Sequence, residues 1–332
     1  MRRTSKDKFL YFLYLHRTGL TVCALALALA IYPPLWGNPY LLGITNQIAL
    51  YAIVVLGLNL FIGYAGQISL GHAAFFALGA YGSALLSGEA GVTPWLALAL
   101  AVLATAAVAL LVGIPTLRLH GHYLAMATLG FNLVIYLVLL QWDQMTGGPS
   151  GYAGIRPLAL GSFAFTSDLR LHYLVWGVTL LCLTLALNLV RSGVGRGLAA
   201  VAGDEVAAAA CGVDTRAAKV KVFVLSAAFA ALAGGLYAHG FGFVSPETFG
   251  IFASVDFVAM VVVGGLGSVW GSLFGVMLLT CLPQWIDRFE SYKEIIHGAI
   301  LVGVLMFLPQ GLVTGLVDLA RVRLARWKAR HA

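Results

Sequence analysis

Long apolar stretches recur along almost the whole chain and constrain its fold more than any other feature. A helix that crosses a bilayer needs about 20 mostly apolar residues. Only 10% of the residues are charged, whereas soluble domains have about 25%. The sequence therefore predicts an all-α polytopic integral membrane protein with about ten transmembrane helices. The predicted spans are 20–36, 41–63, 67–87, 94–115, 123–142, 171–190, 220–243, 252–268, 270–286 and 295–317.

Basic residues are divided unevenly between the two sides that ten spans define. Sixteen of the 20 Lys and Arg residues fall in the termini or in connections on the same side as the termini. Because cytoplasmic segments are enriched in Lys and Arg, both termini are predicted to be cytoplasmic. The net charge of +7 is interpreted as topology and not as a sign of nucleic-acid binding. No convincing cleavage site follows the first apolar segment, which favours a span over a signal peptide.

The predicted layout has three parts and two long connections. A basic cytoplasmic arm covers residues 1–19, a transmembrane domain covers 20–318, and a basic cytoplasmic tail covers 319–332. The connection 143–170 is predicted to lie outside and the connection 191–219 inside. Long connections with structure of their own are usually functional, so the protein is expected to present one shaped surface to each compartment.

The third span is interrupted by glycine and polar residues in the sequence GYAGQISLGHAAFFALGAYG, residues 63–82. Backbone polar groups cannot face lipid unsatisfied, so this stretch must face protein or a water-lined path. Gln67, Ser69 and His72 either line a path for a small molecule or hydrogen-bond to neighbouring helices. If the stretch is helical, Ser69 and His72 lie on one face.

Two further polar residues within apolar spans are candidates for the path. Asn59 lies in the second predicted span, and Asp256 lies about one turn inside the eighth or at its outer interface. Ionisable groups inside membranes often mark functional sites. The pair His120 and His122 lacks a carboxylate, and no two cysteines have metal-site spacing. No metal site and no catalytic cluster is therefore predicted.

Glycines in the two halves of the chain show a similar spacing. Small residues let membrane helices approach closely, so these glycines are interpreted mainly as contacts at broken spans. Transporters often contain two repeated halves with broken helices, and the spacing is consistent with such repeats. The glycines are Gly63, Gly66 and Gly71 in the first half and Gly264, Gly267 and Gly271 in the second.

The inner connection contains the sequence GDEVAAAACGV, which predicts a short helix. Asp204 can cap it, Glu205 in the first turn suits the helix dipole, and Gly212 suits the C-terminal stop. A second helix is predicted to start at Asp214 or Thr215. Small alanine side chains would let the short helix fit a groove in another protein, although it could also be a linker packed on its own bundle.

Five sequence blocks resemble known transport proteins. The acidic residue, alanines and glycine at Glu205, Ala207, Ala208 and Gly212 resemble the EAA coupling loop of ABC importer permeases, without the I-x-L-P that follows in other importers. Four further blocks resemble the LivM-like permease subunits of branched-chain (hydrophobic) amino-acid ABC importers. These blocks are GYAGQISLGHAAFFALGAYGSALL (63–86), TGGPSG (146–151), GLYAHGFGFVSPETFG (235–250) and VVVGGLGSVWGSLFG (261–275).

The resemblance implies a multi-pass permease in the bacterial inner membrane that forms half of a path operating by alternating access. It implies a second related permease, two ATPase subunits and a periplasmic binding protein as partners. The chain has no G-x-x-x-x-G-K-[ST], so no cofactor is expected in it, and ATP and Mg²⁺ would be used by the partners. Candidate contacts for the binding protein are Gly147, Gly148, Pro149 and Glu247.

The implied cargo is a branched-chain or other hydrophobic amino acid, and urea, amides or small carboxylates are alternatives. An ion-coupled secondary transporter or channel would need buried acidic residues in several spans, and Asp256 is the only one identified. A membrane-embedded enzyme would need a polar catalytic cluster at one membrane face, and the sequence contains none.

Overall fold

A computed structural model describes residues 17–36, 38–161, 163–285 and 298. The predicted span 295–317, apart from residue 298, the tail 319–332 and most of the arm 1–19 lie outside the described residues. The described chain is almost entirely helical. Its helices are α1 (Arg17–Trp36), α2 (Pro39–Asn59), α3 (His72–Gly88), α4 (Pro94–Thr116), α5 (His122–Gln141), α6 (Asp143–Thr146), α7 (Asp168–Arg191), α8 (Gly193–Gly203), α9 (Glu205–Ala210), α10 (Thr215–Phe241), α11 (Ile251–Gly264) and α12 (Val269–Trp285).

Short non-α elements connect some of these helices. A π-helical turn continues α2 through Leu60–Tyr64, and 3-10 turns cover Gly148–Ser150 and Pro246–Phe249. Four two-residue strands are present, β1 (Tyr152–Ala153), β2 (Ala159–Leu160), β3 (Phe163–Ala164) and β4 (Phe243–Val244). The strands form two antiparallel pairs, β1 with β4 and β2 with β3.

The prediction of an all-α polytopic membrane protein is confirmed. Five described helices are long and apolar enough to cross a bilayer: α2 with its π turn, α4, α5, α7 and α10. Three shorter apolar helices cover Gly19–Pro34, Ile251–Gly264 and Val269–Pro283. Each of the first nine predicted spans falls on one helix. The third helix begins at His72 and not at residue 67, because the polar and glycine residues before it are unwound.

Helices α2 and α10 form the interior of the bundle. In their most apolar windows, 67% and 61% of the residues are buried, whereas the corresponding share for α5 is 28%. Glycines bring α3 and α10 together, since a Cβ on Gly79 would meet the backbone of Ala231 and a Cβ on Gly234 would meet the carbonyl of Phe76. This close approach agrees with the packing role predicted for small residues.

The two long connections lie at opposite ends of the bundle. At one end Tyr152 contacts Glu89 and Trp95 contacts Ala159, so the connection 143–170 meets the α3–α4 loop. At the other end His120 of the α4–α5 loop contacts Glu205 of α9. The loops therefore separate as the ten-span order requires, and which end is cytoplasmic stays a prediction.

Candidate functional site

The chain unwinds between α2 and α3 over residues 65–71, here called the first break. Gly66 has a φ of 67°, a left-handed conformation that glycine adopts without strain. Side chains of other helices accept hydrogen bonds from backbone N–H groups at the start of α3 and just before it. The Leu70 N–H donates to Thr128 Oγ1 of α5 over 3.0 Å, and the Ala73 N–H donates to Ser254 Oγ of α11 over 3.1 Å.

His72 is the first residue of α3 and is buried in a chain of hydrogen bonds. Its Nδ1 lies 3.1 Å from Ser69 Oγ, and its Nε2 lies 3.0 Å from Ser226 Oγ of α10. Ser226 Oγ donates to the Phe223 carbonyl over 2.8 Å. A neutral imidazole with the proton on Nε2 satisfies all of these groups. Ser69 and His72 are therefore in contact, but Ser69 precedes the helix, so the contact does not come from a shared helix face.

A second unwound segment, residues 265–268, separates α11 from α12 and is here called the second break. The side chain of Asn59, which is 1% exposed, holds it. Asn59 Nδ2 donates to the Ser268 carbonyl over 2.9 Å and to Ser272 Oγ over 2.7 Å. Asn59 Oδ1 accepts the Gly267 N–H over 3.0 Å. The described neighbours thus satisfy Asn59 within the packed interior.

The first break contacts the inner connection, and the π turn that precedes it contacts the second break. Gly63 packs against Gly267 so closely that a Cβ on Gly63 would meet the Gly267 backbone. Gly267 has a φ of 71°, almost the same as that of Gly66. A Cβ on Gly66 would lie 3.2 Å from the Cα of Ala202 in α8. Gly66 and Gly267, which occupy matching places in the two glycine patterns, therefore share a left-handed φ, and Gly66 lies beside the inner connection.

Close packing also accounts for three more of the predicted glycines. A Cβ on Gly71 would lie 2.8 Å from the Thr128 carbonyl, and Gly264 and Gly271 face each other so closely that a Cβ on either would meet the other's carbonyl. These glycines allow close approach at the breaks. Gln67, by contrast, is partly exposed, and its Nε2 donates locally to the Ala65 carbonyl over 3.2 Å.

The predicted short helix is present as α9 and is capped at both ends. Asp204 accepts the N–H groups of Val206 and Ala207 over 2.8 and 2.9 Å. At the other end Gly212 has a φ of 85°, as expected for a helix stop. Val206 is 81% exposed, whereas Ala208 is 4% exposed. Ala208 therefore packs on the protein itself, and Val206 and Ala207 are on the outward side.

An ion pair fixes α9 to the membrane helix α10. Lys219 Nζ lies 2.7 Å from Glu205 Oε1, and the two side chains are 3% and 31% exposed. His120 approaches the other carboxylate oxygen of Glu205 at 3.7 Å. The hydrogen bond from Lys219 holds the pKa of Glu205 below its usual range. Since a buried ammonium without its carboxylate is strongly destabilising, the pair fixes α9 in place.

The candidates for a binding-protein contact lie together at the opposite end. Gly147 and Gly148 have positive φ values and shape the turn before Gly148–Ser150. Pro149 and Glu247 are exposed. The glycines therefore shape this surface, and the two exposed side chains are the ones a partner could reach; their role stays a prediction.

Several residues of the site were missed from the sequence. Helix α8, of whose eleven residues four are glycine, was not predicted. Its cap at Ser192 and its buried Leu198 and Val201 were the available signals. Thr128, Ser226 and Ser254 were overlooked because single hydroxyls are common in membrane helices. Lys219 was assigned to topology and not to a contact.

The fold and the site together define a class of protein. The bundle has broken helices in its interior and a capped helix pair held against those breaks at one end. In the described residues no group of three or more metal-ligating side chains occurs. Transport permeases combine such broken helices with surfaces on both sides of the membrane.

Comparison with known proteins identifies the family. Residues 40–305 match the family described as the permease component of branched-chain amino acid transport systems, and the chain belongs to that family. It is 35% identical to the high-affinity branched-chain amino acid transport system permease protein LivM of Escherichia coli (strain K12) over 310 residues. These cover 86% of this chain and 73% of the relative.

Two more distant relatives belong to a branched-chain amino acid system and to an autoinducer 2 system. The chain is 25% identical to the high-affinity branched-chain amino acid transport system permease protein LivH of Salmonella typhimurium (strain LT2) over 79% of its length and 91% of LivH. It is 27% identical to the autoinducer 2 import system permease protein LsrC of Salmonella paratyphi B over 58% of its length and 55% of LsrC. No solved structure matches the chain significantly. The family match and the identity to LivM show that this protein is a permease subunit of an ABC importer.

Proposed function

We propose that this protein forms half of the translocation path of an ATP-driven importer of branched-chain or other hydrophobic amino acids in a bacterial inner membrane. A second related permease supplies the other half, two ATPase subunits dock on the side of α8 and α9, and a periplasmic binding protein docks on the opposite end. Both termini are cytoplasmic in this arrangement. The family and the relatives LivM and LivH support this proposal.

The observation that carries the proposal is the fixation of α9. Its inward side is joined to α10 through the pair of Glu205 and buried Lys219. Its outward side exposes Val206. Contact of this apolar side chain with water is unfavourable. A helix that is fixed on one side and apolar on the other is suited to receive a partner and pass on its movement.

Two contacts connect α9 and α8 to the first break. Lys219 and Ser226 are seven residues apart on α10, so they lie on the same face two turns apart. Ser226 in turn contacts His72 at the start of α3. Ala202 of α8 lies directly against Gly66. When the ATPases close, a displacement of α8 and α9 would shift α10 and the first break, and this is the alternating-access step.

In this mechanism Ser69 and His72 act at the first break, where they bond other residues, and not as free groups along a path. Both are buried, and both ring nitrogens of His72 have hydroxyl partners. A change in the bonding of Ser69, His72 and Ser226 would let the first break adopt a second shape. A path-lining role for Gln67, Ser69 and His72 in that second shape stays a prediction.

The rival of an ion-coupled transporter has less support. Such a transporter would need several carboxylates within its membrane helices. Across the described residues, Asp256 is the only carboxylate that lies away from the end of a membrane-spanning helix. The carboxylate of Glu205, on a short helix of the inner connection, forms an ion pair with Lys219. The charge distribution therefore favours force delivered by a partner over ion coupling.

The test is ATP-dependent leucine uptake by the complete complex in proteoliposomes that carry Val206→Asp or Val206→Thr. The aspartate puts a charge into the proposed apolar contact and should release the ATPases or abolish coupled uptake. Threonine keeps the shape and should retain most of the uptake. Normal uptake by Val206→Asp, with the ATPases still bound, would overturn the docking proposal.

A further inference from the structure

Asp256 lies about halfway along the length of the bundle and not near its outer end. Ser254, two residues earlier on α11, bonds the Ala73 N–H at the start of α3. Helix α11 therefore begins at the level at which α3 begins, and its 14 residues span only about 21 Å. Tyr51, whose ring packs on Phe257 next to Asp256, lies halfway along the continuous helix Pro39–Tyr64.

Polar groups of α2 and α10 lie near this carboxylate, because Tyr51 packs on Phe257, the next residue of α11, and Phe76 contacts both Phe257 and Tyr237. The Tyr51 hydroxyl of α2 accepts a hydrogen bond from Gln47 Nε2 over 3.0 Å. The Tyr237 hydroxyl of α10 bonds with the Thr248 side chain. Asp256, Tyr51 and Tyr237 are all partly exposed. We call these three residues the Asp256 cluster.

Aromatic rings form the floor beneath the cluster. Tyr51 packs edge-on against Phe257 with ring centroids 5.3 Å apart. Phe76 lies between Tyr237 and Phe257, at centroid distances of 5.7 and 5.8 Å. An anionic group with tyrosine rings beside it and an apolar floor below is suited to an organic cation that carries an aliphatic group.

The charge of Asp256 argues against lipid contact at this face of α11. On the same side of α11, Phe252 is 86% exposed and Val255 is 41% exposed. A carboxylate at this depth is costly against lipid and is normally directed towards a bundle interior or a water-filled cavity. The face formed by Phe252, Val255 and Asp256 therefore requires either the second permease or the aqueous path beside it.

We propose that the Asp256 cluster binds the ammonium group of an amino-acid cargo halfway through the membrane. The carboxylate supplies a charge-assisted hydrogen bond, and the partly exposed tyrosines supply hydroxyls and ring faces. Phe252, exposed on the same side of α11, supplies apolar surface for the aliphatic side chain. The identity of the cargo rests on the proposed function. Since Ser254 and Asp256 lie on one helix, a shift of the first break moves the binding site.

The first test measures the charge at the site without any transport. In a complex whose native cysteines are replaced, Val255→Cys should react roughly tenfold faster with a cationic thiosulfonate than with an anionic one of similar size. Adding Asp256→Asn should abolish this preference, whereas the control Glu247→Gln at the exposed outer end should leave it unchanged. An unreactive cysteine, or equal rates in the presence of Asp256, would overturn the proposal.

The second test measures recognition of the ammonium group. Leucine and 3-methylbutan-1-amine should protect Val255→Cys from labelling, whereas 4-methylpentanoate, which lacks the ammonium group, should not. Asp256→Asn should lower leucine uptake about tenfold with the complex still assembled, and Asp256→Glu should recover part of it. Undiminished uptake by Asp256→Asn, or protection by the carboxylate alone, would overturn the proposal.

The two tests separate this inference from the proposed function. If the wild-type complex imports no leucine but the amine still protects the cysteine, the amino-acid cargo is wrong and the cation site stands. If leucine is imported but no cationic preference is found, the cargo stands and the Asp256 cluster is not its ammonium site.

Discussion

The first break, residues 65–71, is held by hydroxyls from three helices, whereas in the described part of the chain the side-chain hydrogen bonds to the second break, residues 265–268, come mainly from one asparagine, Asn59. Thr128, Ser226 and Ser254 each supply one contact at or beside the first break. Asn59 alone makes three short hydrogen bonds at the second. Both arrangements satisfy backbone groups that lipid would leave unpaired.

The difference indicates which break moves. Contacts distributed over three helices can be exchanged one at a time, at about 1 kcal/mol each. A clamp made by one buried side chain is lost or kept as a unit. The second break is thus the fixed part against which the first break, beside α8, is displaced. This comparison makes the following predictions, from the largest effect to the smallest.

Replacing the asparagine clamp should have the largest effect. Asn59→Leu removes the Asn59 hydrogen bonds of one buried partner, Ser272 Oγ, and of two partly buried backbone groups, the Ser268 carbonyl and the Gly267 N–H, at about 1–3 kcal/mol each before relaxation. We expect a destabilisation of about 3–5 kcal/mol, measured as a loss of assembled complex and a lower thermal transition in detergent.

The matched control is Asn132→Leu on α5. Asn132 is fully buried, and neither of its polar side-chain atoms has a partner among the described residues. The same chemical change should therefore leave stability unchanged or raise it. Equal losses in the two variants would show that the Asn59 hydrogen bonds do not clamp the second break.

The histidine at the first break should have an intermediate effect. His72→Ala removes contacts with Ser69 and Ser226 and leaves a cavity among the rings of Phe61 and Phe75. We expect a destabilisation of about 2–3 kcal/mol together with slower uptake per assembled complex. Lower stability with normal uptake per complex would assign His72 to packing alone.

A single hydroxyl at the first break should matter least for stability. Thr128→Val keeps the side-chain shape but removes the acceptor for the Leu70 N–H. The expected cost is about 1 kcal/mol, seen as a small shift in the thermal transition. A loss as large as that of Asn59→Leu would contradict the idea of distributed contacts.

The fixation of α9 should depend on pH only in acid. The Lys219 hydrogen bond lowers the pKa of Glu205, so the contribution of the pair is complete above the ordinary glutamate pKa of about 4.3. It is lost as the pH falls through the lowered value. The anisotropy of a fluorophore at position 206 should be constant from about pH 8 to pH 5 and fall below about pH 4. A decline already near neutral pH, or the same decline in Glu205→Gln, would contradict this.

The sequence predicted the helices well because apolar length and charge asymmetry are strong local signals. Helix α9 was predicted from Asp204 and Gly212, whose capping roles depend only on nearby residues. The start of α3 at His72 was missed because it depends on Thr128 and Ser254, which are distant in sequence. Apolar helices contain many such hydroxyls, and only the folded bundle shows which of them meet a break.

The candidate site was predictable in composition but not in arrangement. Asn59 was identified as a polar residue within a span, yet its partner was the second break, over 200 residues away in sequence. Asp256 was left between the membrane interior and the interface, because the depth at which α11 begins is set by its packing on α3. The pairing of Glu205 with Lys219 needed the turn at Gly212 to bring two helices together.

The central claim is that movement of α9 reaches the first break through the Glu205–Lys219 pair and α10. The most direct test is a double-mutant cycle on Glu205→Gln and Lys219→Met, with the number of cargo molecules imported per ATP hydrolysed as the measured quantity. We predict that each single change lowers this ratio, Glu205→Gln the more because it leaves the buried Lys219 unpaired, and that the double variant is no worse than Glu205→Gln. A wild-type ratio in all three variants, or losses that add independently in the double variant, would contradict the account.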